Sequence, residues 1–291
     1  MFKKISVFGL MVLMFFSCTS APKTGEAAAF REEAVSIDAG DHVIPAIVTM
    51  PAADSSAKFP VVIMLHGYGS NKDEAGNGYK LFAPELAKKG IASIRIDFMG
   101  YGDSTVDHVN YDLNVGVSEA IAAADYAAGL SQIDPERIGI MGWSKGGAIA
   151  MLAAGRSAAF KSVVTWAGAP KLTGVYTPEA YETAKRDGVF VETFEWRDPL
   201  TLSLNAFEIA ASTHVLEVFS ASAAPILAIT GSEDTVVPPI NALHIKEVSA
   251  NKQSLTLEIP GADHTFNIFT GDMTAFNTLM HETVTWFLGT L

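Results

Sequence analysis

The chain has 291 residues, 49% of them hydrophobic and 18% charged, a balance that suits a packed globular protein and argues against a disordered one. Its formal net charge of −12 argues against a nucleic-acid partner, since phosphate binding needs clustered Lys and Arg. Cys18 is the only cysteine, so no internal disulfide is available, and the length allows one large α/β domain or two small ones.

At the N-terminus, Lys3 and Lys4 precede an apolar run over residues 5–16, broken only by Ser6 and Gly9. The run is positively flanked and too short to span a bilayer comfortably. It ends in "FFSC" and resembles a bacterial lipoprotein signal, with residues 1–17 removed and Cys18 lipidated. Phe15 departs from the usual leucine of that box, and the alternative is an ordinary secretory signal cut near Ala21. Either reading predicts export; the first adds a membrane anchor, placing the protein in the periplasm or at the cell surface. Residues 18–33, which begin "CTSAPKTGEAAA", read as a small, polar tether. The folded part is expected over 34–291.

"AVSIDAGDHVIPAIVTMP" holds two β-type runs around Gly40–Asp41 and predicts an antiparallel hairpin. "PVVIMLHG" is a continuous apolar run ending at a glycine, as in a strand buried on both faces. "YKLFAPELAKKG" reads as a helix stopped by Gly90, and "IASIRID" as the next strand. Leu113, Val117, Ile121 and Ala124 follow helical spacing. "DPERIGIMG" reads as a turn and a strand, "SKGGAIAMLAAG" as a helix, and "SVVTWAG" as a strand. "PILAITG", a helix around 242–248, "SLTLEIPG" and a last helix up to Phe287 complete the chain.

Strands alternating with helices predict an α/β fold, a mostly parallel doubly wound sheet with helices on both faces. The interval 171–221 breaks the rhythm and is too long for a loop. It contains Tyr176, Tyr181, Phe194, Trp196, Phe207 and Phe219. It reads as an insertion forming a small helical cap over the carboxyl end of the sheet, where open α/β sheets bind ligands. Most of its aromatics are expected to form the cap's own core rather than a substrate pocket.

Gly142-Trp143-Ser144-Lys145-Gly146 is G-x-S-x-G between a predicted strand and a predicted helix, the context that a nucleophile elbow requires. The serine needs a strained turn to present its hydroxyl. Gly142 and Gly146 would let strand and helix approach without Cβ clashes, and the helix N-terminus favours developing negative charge. A serine nucleophile needs a base, and the base needs an orienting carboxylate, in the chain order Ser, acid, His for this fold.

Of the seven histidines, His66 and His108 precede the serine, as does His42 in the hairpin. His214 lies in the insertion, and His244 and His281 lie in predicted helices. Only His264, in "PGADHTF", follows the last strand in a loop, so it is the candidate base. In "ITGSEDTVVP", Asp234 and Glu233 both lie in the loop after a strand and both have the right chemistry. Asp263, next to the histidine, reads as a loop cap. The backbone N–H groups of Lys145 and Tyr68 are the expected oxyanion donors, while the His66 side chain reads as structural.

"LHGYGSNKDE", "GIASIRIDFMGYGDS", "DPERIGIMGWSKGG", "GSEDTVVP" and "GADHTF" come in the order found in the α/β-hydrolase superfamily. They most resemble its bacterial cinnamoyl (feruloyl) esterases and related carboxylesterases, over roughly residues 34–287. The resemblance implies an α/β-hydrolase fold with a triad of Ser144, Asp234 and His264. It also implies hydrolysis of a small-molecule carboxylic ester, short-chain or hydroxycinnamoyl, through an acyl-enzyme. No metal or organic cofactor is implied, for no His/Asp/Glu set shows ligand spacing. Two positions depart from the branch: Lys145 stands where glutamine is usual and Tyr68 where phenylalanine is usual. Rival readings are a serine peptidase, a thioesterase, a dienelactone-type hydrolase, and a non-catalytic ligand-binding lipoprotein.

Overall fold

In the computed structural model, residues 30–52, 56–172 and 176–291 are described; the expected signal peptide and Cys18 lie outside them. The first strands, β1 (Phe30–Asp38) and β2 (Val43–Pro51), are antiparallel neighbours. Gly40 turns the chain between them at φ +93°, a value that glycine adopts without strain. Phe30 pairs with Pro51, so residues 30–33 belong to the sheet. The sheet therefore begins at Phe30, ahead of the expected start at residue 34; residues 18–29 of the expected tether lie outside the described residues.

Next come β3 (Phe59–Leu65), α1 (Gly78–Ala87), β4 (Ala92–Ile96), α2 (Leu113–Gly129), β5 (Ile133–Trp143), α3 (Lys145–Arg156) and β6 (Phe160–Trp166). β5 runs through Asp134 and Pro135, where the sequence suggests a turn. The irregularity is absorbed as a register shift, with Phe59 opposite Ile133 but Val61 opposite Ile138. After the interval described below, β9 (Ile226–Gly231), α7 (Ile240–Val248), β10 (Leu255–Ile259) and α8 (Thr274–Thr290) finish the fold.

The eight-stranded sheet has the order β1-β2-β4-β3-β5-β6-β9-β10. From β4 to β10 every neighbouring pair is parallel, so the carboxyl ends of these strands share one edge. Side-chain alternation splits β3 between two core layers. Val61, Ile63 and Leu65 pack into the layer with α2 and α3; Val62 and Met64 pack into the layer with α1 and α8. All seven β3 residues are buried, as expected for an apolar run in the middle of a parallel sheet.

Between β6 and β9 lie α4 (Pro178–Asp187), β7 (Val189–Glu192), β8 (Leu200–Ser203), α5 (Leu204–Ser212) and α6 (Val215–Phe219). Besides helices, the interval holds an antiparallel ribbon of β7 and β8 that the sequence reading did not include. Phe207 and Phe219 are buried, and Tyr176, Tyr181 and Phe190 surround Phe207. Trp196 is the exception, at 73% exposed.

Candidate active site

Ser144 joins β5 to α3 with φ 53° and ψ −117°, a strained conformation for a non-glycine residue. Its amide donates to Trp166 O at 2.9 Å, and its carbonyl accepts from Gly147 and Ala169 N–H at 3.0 Å each. These bonds hold the turn from both sides. A Cβ on Gly142 would collide with the backbone of Gly146, and one on Gly146 would collide with Leu65 O. Both glycines are therefore required by the close approach of helix, strand and the end of β3. Lys145 is the first residue of α3, and the first N–H groups of a helix have no partner within it.

His264 follows β10. Its Nδ1 is 2.8 Å from Asp234 Oδ2. Asp234 follows β9; its side chain is fully buried, and its Oδ1 accepts from the N–H groups of Val236 and Val237 at 2.8 Å each. The neighbouring Glu233 is exposed, and its carboxylate accepts from Ser232 Oγ at 3.5 Å instead. With Oδ2 facing Nδ1, the tautomer protonated on Nδ1 satisfies the buried carboxylate and leaves the lone pair on Nε2. Asp263 Oδ1 accepts from Thr265 and Asn267 N–H at 2.7 and 2.9 Å and so closes the histidine turn. The indole of Trp143 donates to His264 O at 3.1 Å, which ties that loop to the residue before Ser144.

The loop after β3 lies against the elbow: a Cβ on Gly67 would stand 3.5 Å from Ser144 Cβ. Asp97, at the end of β4, anchors this loop by accepting from Lys72 N–H at 2.7 Å and Lys72 Nζ at 2.5 Å. Buried Arg95 reaches it through Asp73 at 2.9 Å. His66 is buried, with Nδ1 2.8 Å from Gly67 O and Nε2 accepting from Phe98 N–H at 3.2 Å. Burial lowers its pKa to about 4.

Glu74 is a member of the site that sequence reasoning does not single out. Its carboxylate accepts from Gly67 N–H at 2.5 Å and Ala75 N–H at 3.0 Å, under the residue that leads into Tyr68. Burial pushes its carboxyl up to about 7, against the pull of those amides. Its backbone is left-handed, φ 64°. The only trace in sequence is a glutamate closing "HGYGSNKDE". Nothing local marks its side chain as turning inward.

The Lys145 side chain is a second such feature. It is 3% exposed and lies among the rings of Tyr68, Tyr101, Tyr111 and Tyr176, 4.3–5.8 Å from their centroids. Burial lowers its amine to about 7. Among the described residues, no group of three or more His, Cys, Asp or Glu is placed to hold a metal ion, and no helix is long and apolar enough to cross a membrane.

Sheet order, elbow and the loops at the carboxyl edge define an α/β-hydrolase fold. The sequence pattern of the prolyl oligopeptidase family matches residues 80–291, and the chain belongs to that family. A protein described as "Putative carboxymethylenebutenolidase", from Methylorubrum extorquens, is 34% identical over 143 residues, 46% of this chain and 48% of that one. The chain spans about half the length of the curated relatives it matches, 40–53%. Among solved structures, Est1E from Butyrivibrio proteoclasticus with bound ferulic acid superposes with a TM-score of 0.71 at 20% identity, over 88% of this chain and 98% of that one. A puromycin-hydrolysing peptidase from Mycobacterium tuberculosis gives a TM-score of 0.68 at 21% identity, over 92% of this chain and 41% of that one.

Proposed function

We propose that the protein hydrolyses carboxylic esters by acyl transfer, with Ser144 as nucleophile, His264 as base and Asp234 as the orienting acid. The observation that carries this reading is the 2.8 Å contact of His264 Nδ1 with a buried Asp234, in a loop that Trp143, the residue before a strained serine at a helix N-terminus, ties down through His264 O. Nε2 takes the Ser144 proton as Oγ attacks the ester carbonyl. The N–H groups of Lys145 and Tyr68 hold the oxyanion, a contribution of about 3 kcal/mol per donor in comparable sites. His264 then protonates the leaving alcohol, and water activated by the same nitrogen releases the acid. Short acyl and hydroxycinnamoyl esters are the substrates to try, given the likeness to an Est1E structure that holds ferulic acid.

The family match supports a second reading, hydrolysis of aminoacyl amides by the same triad. Treatment with a fluorophosphonate should leave one adduct, on Ser144, and Ser144→Ala should lose about 10⁶-fold in turnover with unchanged melting. Aminoacyl arylamides run beside the esters decide between the readings. A folded protein without adduct, or a Ser144→Ala variant with full turnover, would overturn both. We further propose that the protein is exported and anchored through a lipid on Cys18; a mature N-terminus beyond Cys18, or an unmodified Cys18, would refute the anchor.

A further inference from the structure

Lys145 presents an accounting problem. Its ammonium is buried, and among the described residues it has no hydrogen-bond partner. A buried ammonium left unpaired costs several kcal/mol, and the four tyrosine rings around it offset only part of that. The acids whose charge reaches it are Asp112 and Glu119, and both are engaged elsewhere. Asp112 accepts from Asn114 and Val115 N–H and from Asn205 Nδ2. Glu119 Oε1 accepts from Met99 N–H and lies 2.9 Å from His42 Nε2; its Oε2 is buried without a partner among the described residues, makes no bond to Lys145, and burial raises this carboxyl to about 7.

The phenols of Tyr68 and Tyr101 are buried without partners as well. A second cation approaches from the cap: the Arg197 guanidinium lies 5.2 Å from the Tyr101 ring and 5.7 Å from that of Phe194. His108, on the same cluster, holds its Nδ1 proton against Thr201 O at 2.8 Å, and burial keeps it neutral, with a pKa of about 4. With Tyr111, whose phenol is likewise unpartnered, the cluster offers an ammonium, three phenolic donors and a nearby guanidinium. The group it lacks is an anionic acceptor.

The location supplies the rest. Lys145 and Tyr68 are the two residues whose backbone N–H groups face the oxyanion in the reading above. A group bound at Lys145 Nζ would therefore lie about one side-chain length from the carbonyl at Ser144. We propose that Lys145 Nζ, with the phenols of Tyr68 and Tyr101 and the cap residue Arg197, binds a carboxylate carried on the acyl part of the substrate, so that the preferred substrates are monoesters of dicarboxylic acids. The inference rests on the acyl-transfer reading of Ser144.

The test compares monoethyl esters of the dicarboxylic acids from malonate to adipate with ethyl esters of the uncharged acids of equal length. The wild-type protein should favour the best anionic ester by about tenfold or more in kcat/KM, as expected for a hydrogen-bonded ion pair. Lys145→Met, similar in shape and uncharged, should bring that ratio to about one, and Lys145→Arg should keep part of it. Tyr101→Phe should lower it about threefold while leaving the ring in place. Absence of an anionic preference at every length, or its survival in Lys145→Met, overturns the proposal.

Calorimetric titration of Ser144→Ala with the same esters separates the two layers of the argument. Anionic esters that bind this variant about tenfold tighter than neutral ones, with the difference lost in Ser144→Ala/Lys145→Met, support the carboxylate site even if Ser144 proves unreactive. Fluorophosphonate labelling and hydrolysis of neutral esters without anionic preference would leave the esterase reading standing and remove the carboxylate site.

Discussion

Two aromatic clusters flank the elbow and are built to opposite rules. On the face of α1 and α8, Trp143, Trp166, Tyr79 and Phe276 pack with ring centroids 5.4–6.4 Å apart. Every polar atom they carry is used: Trp143 Nε1 on His264 O, Trp166 Nε1 on Thr283 Oγ1 at 2.8 Å, and Tyr79 OH on Leu65 O at 3.0 Å. On the other side, Tyr68, Tyr101 and Tyr111 surround Lys145, and each keeps a buried phenol without a partner. A buried polar group costs free energy unless it is bonded. The satisfied cluster is therefore a support that fixes the site, whereas the unsatisfied one carries the buried donors on which the proposed carboxylate site rests.

Substitutions separate the two clusters, beginning with the proposed triad that lies between them. Asp234→Asn should lower turnover about 10⁴-fold, because the amide favours the wrong imidazole tautomer while the buried geometry is kept. Steady-state kinetics with an unchanged melting temperature is the check, and a loss under tenfold would remove Asp234 from its role. Trp166→Ala should cost about 4 kcal/mol in denaturant unfolding, since it empties the centre of the satisfied cluster and removes the indole donor to Thr283 Oγ1.

Glu74 supplies a pH-dependent difference. Its carboxyl ionises near 4.5 in the unfolded chain but near 7 in the fold. Between those values the folded chain holds a proton that the unfolded chain has released, so the contribution of this site to stability falls as pH rises. The full loss, about 3 kcal/mol, is reached above pH 7. Glu119, also raised by burial to about 7, acts in the same sense; His66 and His108, lowered to about 4, act in the opposite one. The single-site quantity is therefore the difference between Glu74→Gln and wild type. That difference should move in favour of glutamine across pH 4.5–7; a flat difference would show that the carboxylate keeps its ordinary titration. The smallest effect belongs to the unsatisfied cluster: Tyr101→Phe should leave stability within about 1 kcal/mol of wild type, or raise it, because no bond is lost with the phenol. A large loss there would show that the phenol is bonded in solution and would weaken the contrast between the clusters.

Much of the fold was legible in the sequence because its signals are local. The apolar run of β3, the helical spacing of α2 and the glycines of the elbow each report a constraint acting within a few residues. The register shift that carries β5 through Pro135 was not legible, since it depends on how β3 lies beside it. The β7–β8 ribbon escaped for the same reason: four-residue strands carry little periodicity, and their pairing is what makes them strands.

For the site, the sequence by itself determined which residue types stand in which order: a serine at a strand-to-helix turn, an acidic loop, then a histidine loop. Backbone sterics decided that much, because Gly142 and Gly146 leave room where any side chain would collide. The resemblance alone favoured Asp234 over Glu233; the tertiary structure supplies a physical contrast between these adjacent acids, with Asp234 buried against His264 and Glu233 in solvent. Tertiary structure alone also turned Glu74 under Gly67 and closed four tyrosines around Lys145. Those outcomes depend on desolvation and on partners far away in the chain, and neither is encoded in a residue's immediate neighbours.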